Sequence, residues 1–384
     1  MQFVGGNRLT LLRNGEEYFP ALAAAIDAAR AEVFLESYIY ADDQTGAFVT
    51  EALARAAERG VRVHLLVDGF GARQFPQRWR RRLVEAGARV LVFRPELGGW
   101  LRLRRGRLRR MHRKLAALDA RVAFVGGINV IDDYDLPGDT RPRYDYAIGI
   151  EGPLAADVRN AAARLWRQVA WASTRRRPAP VQPFEPTETP GIQKAALVLR
   201  DSLRHRHDIE DAYLHYLERA RVEVVIACAY FFPGRRFRRV LIAAARRGVR
   251  VRLLLQGRIE YPLLHYASRA LYGSLLEAGI EIHEYMESFL HAKVAVFDRC
   301  VACVGSSNID PLSLLLAREA NVFVDDAAFA MELYRSLEEA MRADSRQLPP
   351  RDWHHRPLLE RLRTWIGYTI ARTLISRFGF ERYH

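Results

Sequence analysis

The sequence predicts an α/β protein of two duplicated lobes, each layering helices on a mixed sheet and related to the other by a pseudo-twofold axis. Three observations carry this expectation. Residues 112–129, HRKLAALDARVAFVGGIN, and residues 291–308, HAKVAVFDRCVACVGSSN, share five polar or glycine positions at identical spacing. Three further stretches recur in the same order at offsets of roughly 180 to 190 residues, as an internal duplication requires. They are RAEVFLESYIY (30–40) beside RVEVVIACAYF (221–231), RGVRVHLLVDG (59–69) beside RGVRVRLLLQG (247–257), and LVEAGARVLVF (83–93) beside LLEAGIEIHEY (275–285). Finally, helical and strand-like patterns alternate along each half.

The elements follow in order. Apolar residues recur at helical spacing in YFPALAAAIDAARA (18–31) and GAFVTEALARAAERG (46–60). Between and after them, the β-branched and aromatic runs EVFLESYIY, VRVHLLV and ARVLVF read as short strands. Helices alternating with strands of this length predict a layered domain with a largely parallel or mixed sheet. Five prolines fall between Pro178 and Pro190, where no periodic element persists. The expected division is therefore a first lobe over 1–177, a linker over 178–191, a second lobe over 192–347 and a basic tail over 348–384.

A chain of 384 residues is long enough for two domains, each with its own core. A hydrophobic fraction of 49% fits a folded protein and excludes a disordered one. The net charge of +14 points to an anionic partner. Six arginines lie in LRLRRGRLRR (101–110) and four in QRWRRR (77–82), and their guanidinium forks match phosphate oxygens or anionic headgroups. The N-terminal residues carry no apolar core of signal-peptide length, and no uncharged apolar stretch reaches 18 residues, so neither a signal peptide nor a transmembrane helix is expected. Cys228, Cys300 and Cys303 are expected to be buried structural thiols in a reducing compartment. Cys300 and Cys303 are spaced to point to opposite faces of a strand.

In each motif the histidine and lysine are two apart, so they share one side of a strand: His112 with Lys114, His291 with Lys293. The apolar LAAL and VAVF that follow predict a strand covered on both faces. Asp119 and Asp298 then open a tight turn, and small residues ahead of Asn129 and Asn308 admit close backbone approach. If the lobes pack about a twofold, two imidazoles converge among lysine and asparagine donors. This arrangement suits a phosphodiester: Lys114, Lys293, Asn129 and Asn308 hold the non-bridging oxygens. One imidazole attacks phosphorus and the other exchanges protons with the leaving and incoming alcohols. The lysines supply the positive charge, so no metal or other cofactor is required.

The motif pair HRKLAALD with GGIN and HAKVAVFD with GSSN resembles the HKD motifs of the phospholipase D superfamily. The resemblance runs from about residue 7 to about residue 342. It implies a two-lobed α/β/α sandwich and a phosphohistidine intermediate. It also counts His112, Lys114, Asp119, His291, Lys293 and Asp298 as the catalytic set, although the two aspartates are placed to hold their turns. An acid about 30 residues downstream orients each histidine in that family, which implies Asp145 behind His112 and Glu319 behind His291. The two equivalent motifs leave the nucleophile open, and the family implies His112. Within the superfamily, runs such as GVRVHLLVDGFGA and VGSSNIDPLSLLLAREANV resemble bacterial cardiolipin synthases of the short type without N-terminal membrane spans. That resemblance implies phosphatidyl transfer between two phosphatidylglycerol molecules, with cardiolipin and glycerol as products. It also implies a peripheral place on the cytoplasmic face of the cell membrane.

The tail, RPLLERLRTWIGYTIARTLISRFGFERYH (356–384), repeats Leu358, Leu362, Ile366, Ile370 and Leu374 every four residues, interrupted by arginines. Too charged to span easily, it reads either as an interfacial helix with Trp365, Tyr368 and Arg372 at the headgroups or as a helix packed on the second lobe. Anionic phospholipids and the membrane surface are therefore the expected partners. A nuclease of the same superfamily would use the basic patches, but no nucleic-acid module is recognisable. A lipid hydrolase differs only in the acceptor. A non-catalytic scaffold is disfavoured because both motifs are intact.

Overall fold

The structure is a computed structural model that describes residues 1–95, 109–134, 141–174, 184, 188–201, 205–310, 317–354 and 357–377. Most of the arginine run at 101–110 and most of the proline-rich linker lie outside the described residues.

Among the described residues, fifteen strands form one continuous hydrogen-bonded series in which each half repeats the other. The first lobe contains β1 (Val4–Arg13), β2 (Glu32–Ser37), β3 (Arg62–Asp68), β4 (Arg89–Phe93), β5 (Lys114–Leu118), β6 (Val122–Gly126) and β7 (Tyr146–Glu151). The second contains β8 (Gln193–Arg200), β9 (Glu223–Cys228), β10 (Arg250–Gln256), β11 (Glu281–Tyr285), β12 (Lys293–Phe297), β13 (Val301–Gly305), β14 (Glu319–Asp325) and a short edge strand β15 (Ser345–Gln347). The order β1-β7-β6-β5-β2-β3-β4 in the first lobe is matched by β8-β14-β13-β12-β9-β10-β11 in the second. β1 and β8 join the halves antiparallel, with Val4 opposite Ala195. Both sheets are mixed: β2, β3 and β4 are parallel, as are β9, β10 and β11, while the motif hairpins run antiparallel.

Each sheet is covered on both faces, which explains the near-continuous apolar strands. The outer face of the first sheet lies under α1 (Asn14–Ala28), α2 (Gln44–Glu58) and α3 (Gln77–Glu85), through residues such as Leu22, Leu53 and Leu83. The second lies under α5 (Asp208–Arg219), α6 (Arg235–Arg246) and α7 (Pro262–Glu277), through Leu217, Phe237 and Leu275. The inner faces share a single core: Leu115, Val125 and Ile148 of one lobe cluster with Val294, Val304 and Val322 of the other. α4 (Pro153–Thr174) and α8 (Ala327–Ala343) contribute Leu154, Val158, Leu333 and Leu337 to it. This shared core fixes the two motif hairpins relative to one another.

The motif aspartates hold the hairpin turns, as their placement predicts. Asp119 and Asp298 lie at the turn ends of β5 and β12, opposite the ends that carry the histidines. Asp119 and Ala120, like Asp298 and Arg299, have φ near +50 to +57°, and aspartate tolerates this left-handed region better than most residues. Each carboxylate gathers three backbone N–H groups from the loop entering a neighbouring strand: Arg30, Ala31 and Glu32 for Asp119, and Arg221, Val222 and Glu223 for Asp298. Losing such charge-assisted bonds is costly. Asp298→Ala is therefore expected to lower unfolding stability by about 2–4 kcal/mol, as measured by urea denaturation.

The cysteines divide. Cys228 and Cys303 are buried, as expected, whereas Cys300 is exposed, because it falls on the hairpin turn just before β13. The tail forms α10 (Leu358–Arg377), preceded by the short α9 (Pro350–His354). α10 packs along α7 through buried Thr364, Gly367 and Ala371. Gly367 is needed there, since a Cβ would come within 2.8 Å of the Tyr266 side chain.

Candidate active site

His112 and His291 lie two residues ahead of the first residues of β5 and β12, and both line one cavity of about 280 Å³. Tyr38, Asn129, Arg143, Asp145, Glu260 and Tyr261 are among its other walls. The cavity therefore takes residues from both lobes.

The acids are exchanged relative to the expected pairing. Glu319 lies behind His112, its carboxylate 3.0 Å from Nδ1, and Asp145 lies behind His291, 2.6 Å from Nδ1. Backbone pairing across the lobe boundary explains the exchange. The N–H of His291 donates to the carbonyl of Tyr144, and the N–H of Tyr144 donates to that of Phe289. The N–H of His112 donates to the carbonyl of Arg318, whose own N–H donates to Arg110. The residue before each acid is thus bonded to the strand entry of the opposite histidine.

Each acid is itself fixed. Tyr146 N–H donates to Asp145 at 2.8 Å, and Ser306 Oγ donates to Glu319 at 2.6 Å. At the equivalent place in the first hairpin stands Gly127, where a Cβ would come within 2.3 Å of the Asp145 carboxylate. GG and GSS are therefore not interchangeable small residues. The glycine makes room for Asp145, and the serine holds the longer Glu319.

An imidazole that gives its Nδ1 proton to a carboxylate keeps Nε2 as its lone-pair nitrogen. Lys293 Nζ also lies 2.9 Å from His291 Nδ1, but the nearer Asp145 takes the Nδ1 proton. Both lysine ammonium groups donate to the carbonyl of their own motif histidine, which holds them beside the site. Burial lowers both lysines, Lys114 to about 7. Burial also dominates at the histidines and drives both below the ordinary 6.5 despite the facing acids, His291 to about 3. At Asp145, burial raises the pKa, but Lys293 and His291 outweigh it and hold the carboxyl below its usual range. A neutral imidazole is the attacking form, and its fraction grows as pH rises through the folded pKa. The acid limb of kcat/KM set by His112 is therefore expected below pH 6.5, and an acid limb centred above pH 7 in a pH–rate profile would contradict this environment.

Asn129 and Asn308 are buried near the hairpin ends. The Asn129 side-chain carbonyl accepts from Ile39 N–H at 3.1 Å, so its amide N–H groups are the end offered as donors. Asn308 lies against Cys228, with Oδ1 4.0 Å from Sγ. Of the tail residues, Trp365 is exposed, whereas Tyr368 is half-buried with its ring 5.9 Å from that of Phe232. Arg372 is exposed beside it, Nη1 lying 3.4 Å from Tyr368 Oη. The side chain of Leu374 lies outside the described residues. In the basic stretch at 77–82, Arg78 and Arg82 are paired with Asp42, Glu51 and Glu58, while Arg80 and Arg81 are exposed.

Sequence reasoning missed Tyr38, whose ring meets that of His112 edge-on at 4.8 Å and lies 5.3 Å from Lys114 Nζ. It also missed Asp68, which receives Met111 N–H at 2.9 Å and so anchors the residue before His112. The repeat itself marked both as departures, since Tyr38 aligns with Ala229 and Asp68 with Gln256.

Two carboxylate-backed histidines lining one cavity, a lysine bonded to the carbonyl of each, and a duplicated mixed sheet define a phospholipase D-type centre. Comparison with known proteins narrows this further. Residues 22–166 and 213–341 match the family described as "Cardiolipin synthase, PLD-like domain". The chain is 40% identical to cardiolipin synthase B of Escherichia coli K12 over 365 residues, covering 91% of this chain and 85% of that protein. It is 30% identical to the probable cardiolipin synthase YwiE of Bacillus subtilis, covering 92% and 70%. Among solved structures, phosphatidylserine synthase of Haemophilus influenzae superposes with a TM-score of 0.70 at 13% identity, covering 96% of this chain and 94% of that one. At that identity the likeness concerns the fold alone. The chain belongs to the cardiolipin synthase family of phospholipase D-type phosphatidyltransferases.

Proposed function

We propose that the protein joins two phosphatidylglycerol molecules into cardiolipin and glycerol through a phosphatidyl-histidine intermediate. The observation that carries this reading is the crossed pair of carboxylate-backed histidines in one cavity. Nε2 of His112 attacks phosphorus, and the bond from phosphorus to the glycerol oxygen breaks. The departing oxygen takes its electron pair and a proton from Nε2 of His291, which enters this step as the imidazolium, paired through Nδ1 with Asp145 and facing the anionic phosphate. The terminal hydroxyl of a second phosphatidylglycerol then gives its proton to His291 as its oxygen attacks phosphorus. The phosphorus–nitrogen bond breaks with its pair returning to His112. Lys114, Lys293, Asn129 and Asn308 hold the non-bridging oxygens, where fixed donors meet charge as it builds.

Membership in a cardiolipin synthase family supports transfer to a lipid alcohol over transfer to water. The reading is tested by incubating purified protein with phosphatidylglycerol vesicles, with and without phosphatidylethanolamine, and resolving the lipids. Cardiolipin with released glycerol is expected. Phosphatidic acid alone would establish a hydrolase, and DNA cleavage with inert lipid would establish a nuclease.

The protein reaches these lipids as a peripheral membrane protein on the cytoplasmic face. Among the described residues, no helix is long and apolar enough to cross a membrane. With Thr364, Gly367 and Ala371 turned to α7, α10 leaves Leu358, Leu362, Trp365, Ile366 and Ile370 exposed, Trp365 by 63%. α7 itself begins just after Tyr261, which is 55% exposed and lines the catalytic cavity. An apolar helical row of this kind, on a strongly basic chain, fits an anionic interface. Replacing Trp365 and Ile366 together by aspartate is expected to weaken co-sedimentation with phosphatidylglycerol vesicles by about tenfold or more. Unchanged binding would remove α10 from the interface.

A further inference from the structure

The catalytic residues are duplicated, but the walls around them are not. At the offset that aligns Arg59–Gly69 with Arg247–Gly257, Glu260 falls opposite Ala72, and the alignment of the preceding strands puts Tyr230 opposite Ile39. Glu260, Tyr230 and Arg143 all line the cavity that holds His112 and His291. The Tyr230 hydroxyl donates to Glu260 Oε2. Arg143 Nη1 lies 3.8 Å from Glu260 Oε1, within ionic reach but beyond a direct hydrogen bond. Arg143 Nε is buried without a hydrogen-bond partner, while its guanidinium sits over the Phe289 ring at 5.9 Å. One side of the cavity thus offers a carboxylate oxygen and a guanidinium side by side, and among the described residues that line the cavity no second guanidinium is found.

An acceptor next to a cation suits a group that donates and accepts at once, namely a hydroxyl. We propose that Glu260 and Arg143, with Tyr230 fixing the carboxylate, form a subsite for the secondary hydroxyl of a glycerol headgroup. The hydroxyl gives its proton to Glu260 Oε1 and receives a hydrogen bond from Arg143. The neighbouring primary hydroxyl is thereby left for the phosphatidyl-histidine. The inference rests on the phosphatidyl-transfer reading above and deepens it by naming what selects the acceptor. A site that pairs with a hydroxyl rejects analogues that lack it, because its own polar groups are then left unpaired.

The test supplies phosphatidylglycerol as donor and equal amounts of 1,2-propanediol and 1-propanol as acceptors, which differ only in the secondary hydroxyl. Both products arise from the same intermediate, so their ratio is independent of the amount of folded enzyme. The wild-type enzyme is expected to favour the diol by about tenfold. Glu260→Ala, which installs the residue found at the equivalent place in the first lobe, is expected to bring the ratio close to one. Glu260→Gln, which keeps an acceptor without the charge, is expected to fall between them and decides the matter if the alanine variant yields no product. A wild-type enzyme without diol preference, or variants that keep the wild-type ratio, would overturn the subsite. Phosphatidic acid as the only product, with no transfer to either alcohol, would instead overturn the phosphatidyl-transfer reading.

Discussion

Given a phosphatidyl donor with a p-nitrophenolate leaving group, His291→Ala protein is expected to release about one equivalent of p-nitrophenolate per site and then stall. His112→Ala protein is expected to release none. The argument separates what each imidazole supplies. A good leaving group departs without a proton, so the first step survives the loss of the acid, whereas no step survives loss of the nucleophile. Release of the phosphatidyl group then needs an alcohol deprotonated by His291, and the variant stops at the intermediate. With phosphatidylglycerol itself, whose alkoxide leaving group does need a proton, both variants are expected to lose about 10⁴-fold or more in kcat/KM. Stopped-flow absorbance with the activated donor checks the burst, and lipid analysis checks the steady rate.

Exchanging each carboxylate for its amide is expected to reproduce the histidine phenotypes in crossed order. Asp145→Asn should behave like His291→Ala, with a burst and a stall, and Glu319→Gln should behave like His112→Ala. The cause is the tautomer. An amide that presents N–H to Nδ1 leaves that nitrogen as the acceptor and moves the ring proton to Nε2, which then cannot take a proton or attack. The expected loss with phosphatidylglycerol is about 10²–10⁴-fold in each variant. Both substitutions conserve shape, and an amide oxygen still accepts from Tyr146 N–H or Ser306 Oγ, so near-wild-type thermal unfolding is expected. A burst in Glu319→Gln and none in Asp145→Asn would restore pairing within each lobe.

The duplication, the strand pattern and the paired motifs were legible in the sequence because each is local. β5 and β12 are buried along their whole length, and their apolar LAAL and VAVF runs stated as much. The turn role of Asp119 and Asp298 was legible too, from their place between two strands. The partner of each histidine was not. An acid about 30 residues downstream exists in both lobes, and a pseudo-twofold permits pairing within a lobe or across it. The choice is made by the bridges from Tyr144 to the His291 strand entry and from Arg318 to that of His112, and sequence periodicity carries no trace of them. Glu260 and Arg143 were equally silent, since they are remote in sequence and meet only in the cavity. The tail was half legible. Its four-residue repeat marked the exposed row, but nothing in the sequence singled out Gly367 and Ala371, which dock it on α7.

The account stands on two half-sites, each completed by an acid from the other lobe, with His112 as the nucleophile. It is tested most directly by locating the phosphatidyl group on stalled Asp145→Asn protein by mass spectrometry after quenching with the activated donor. The adduct is expected on His112. An adduct on His291, or none where Glu319→Gln accumulates one, would contradict it.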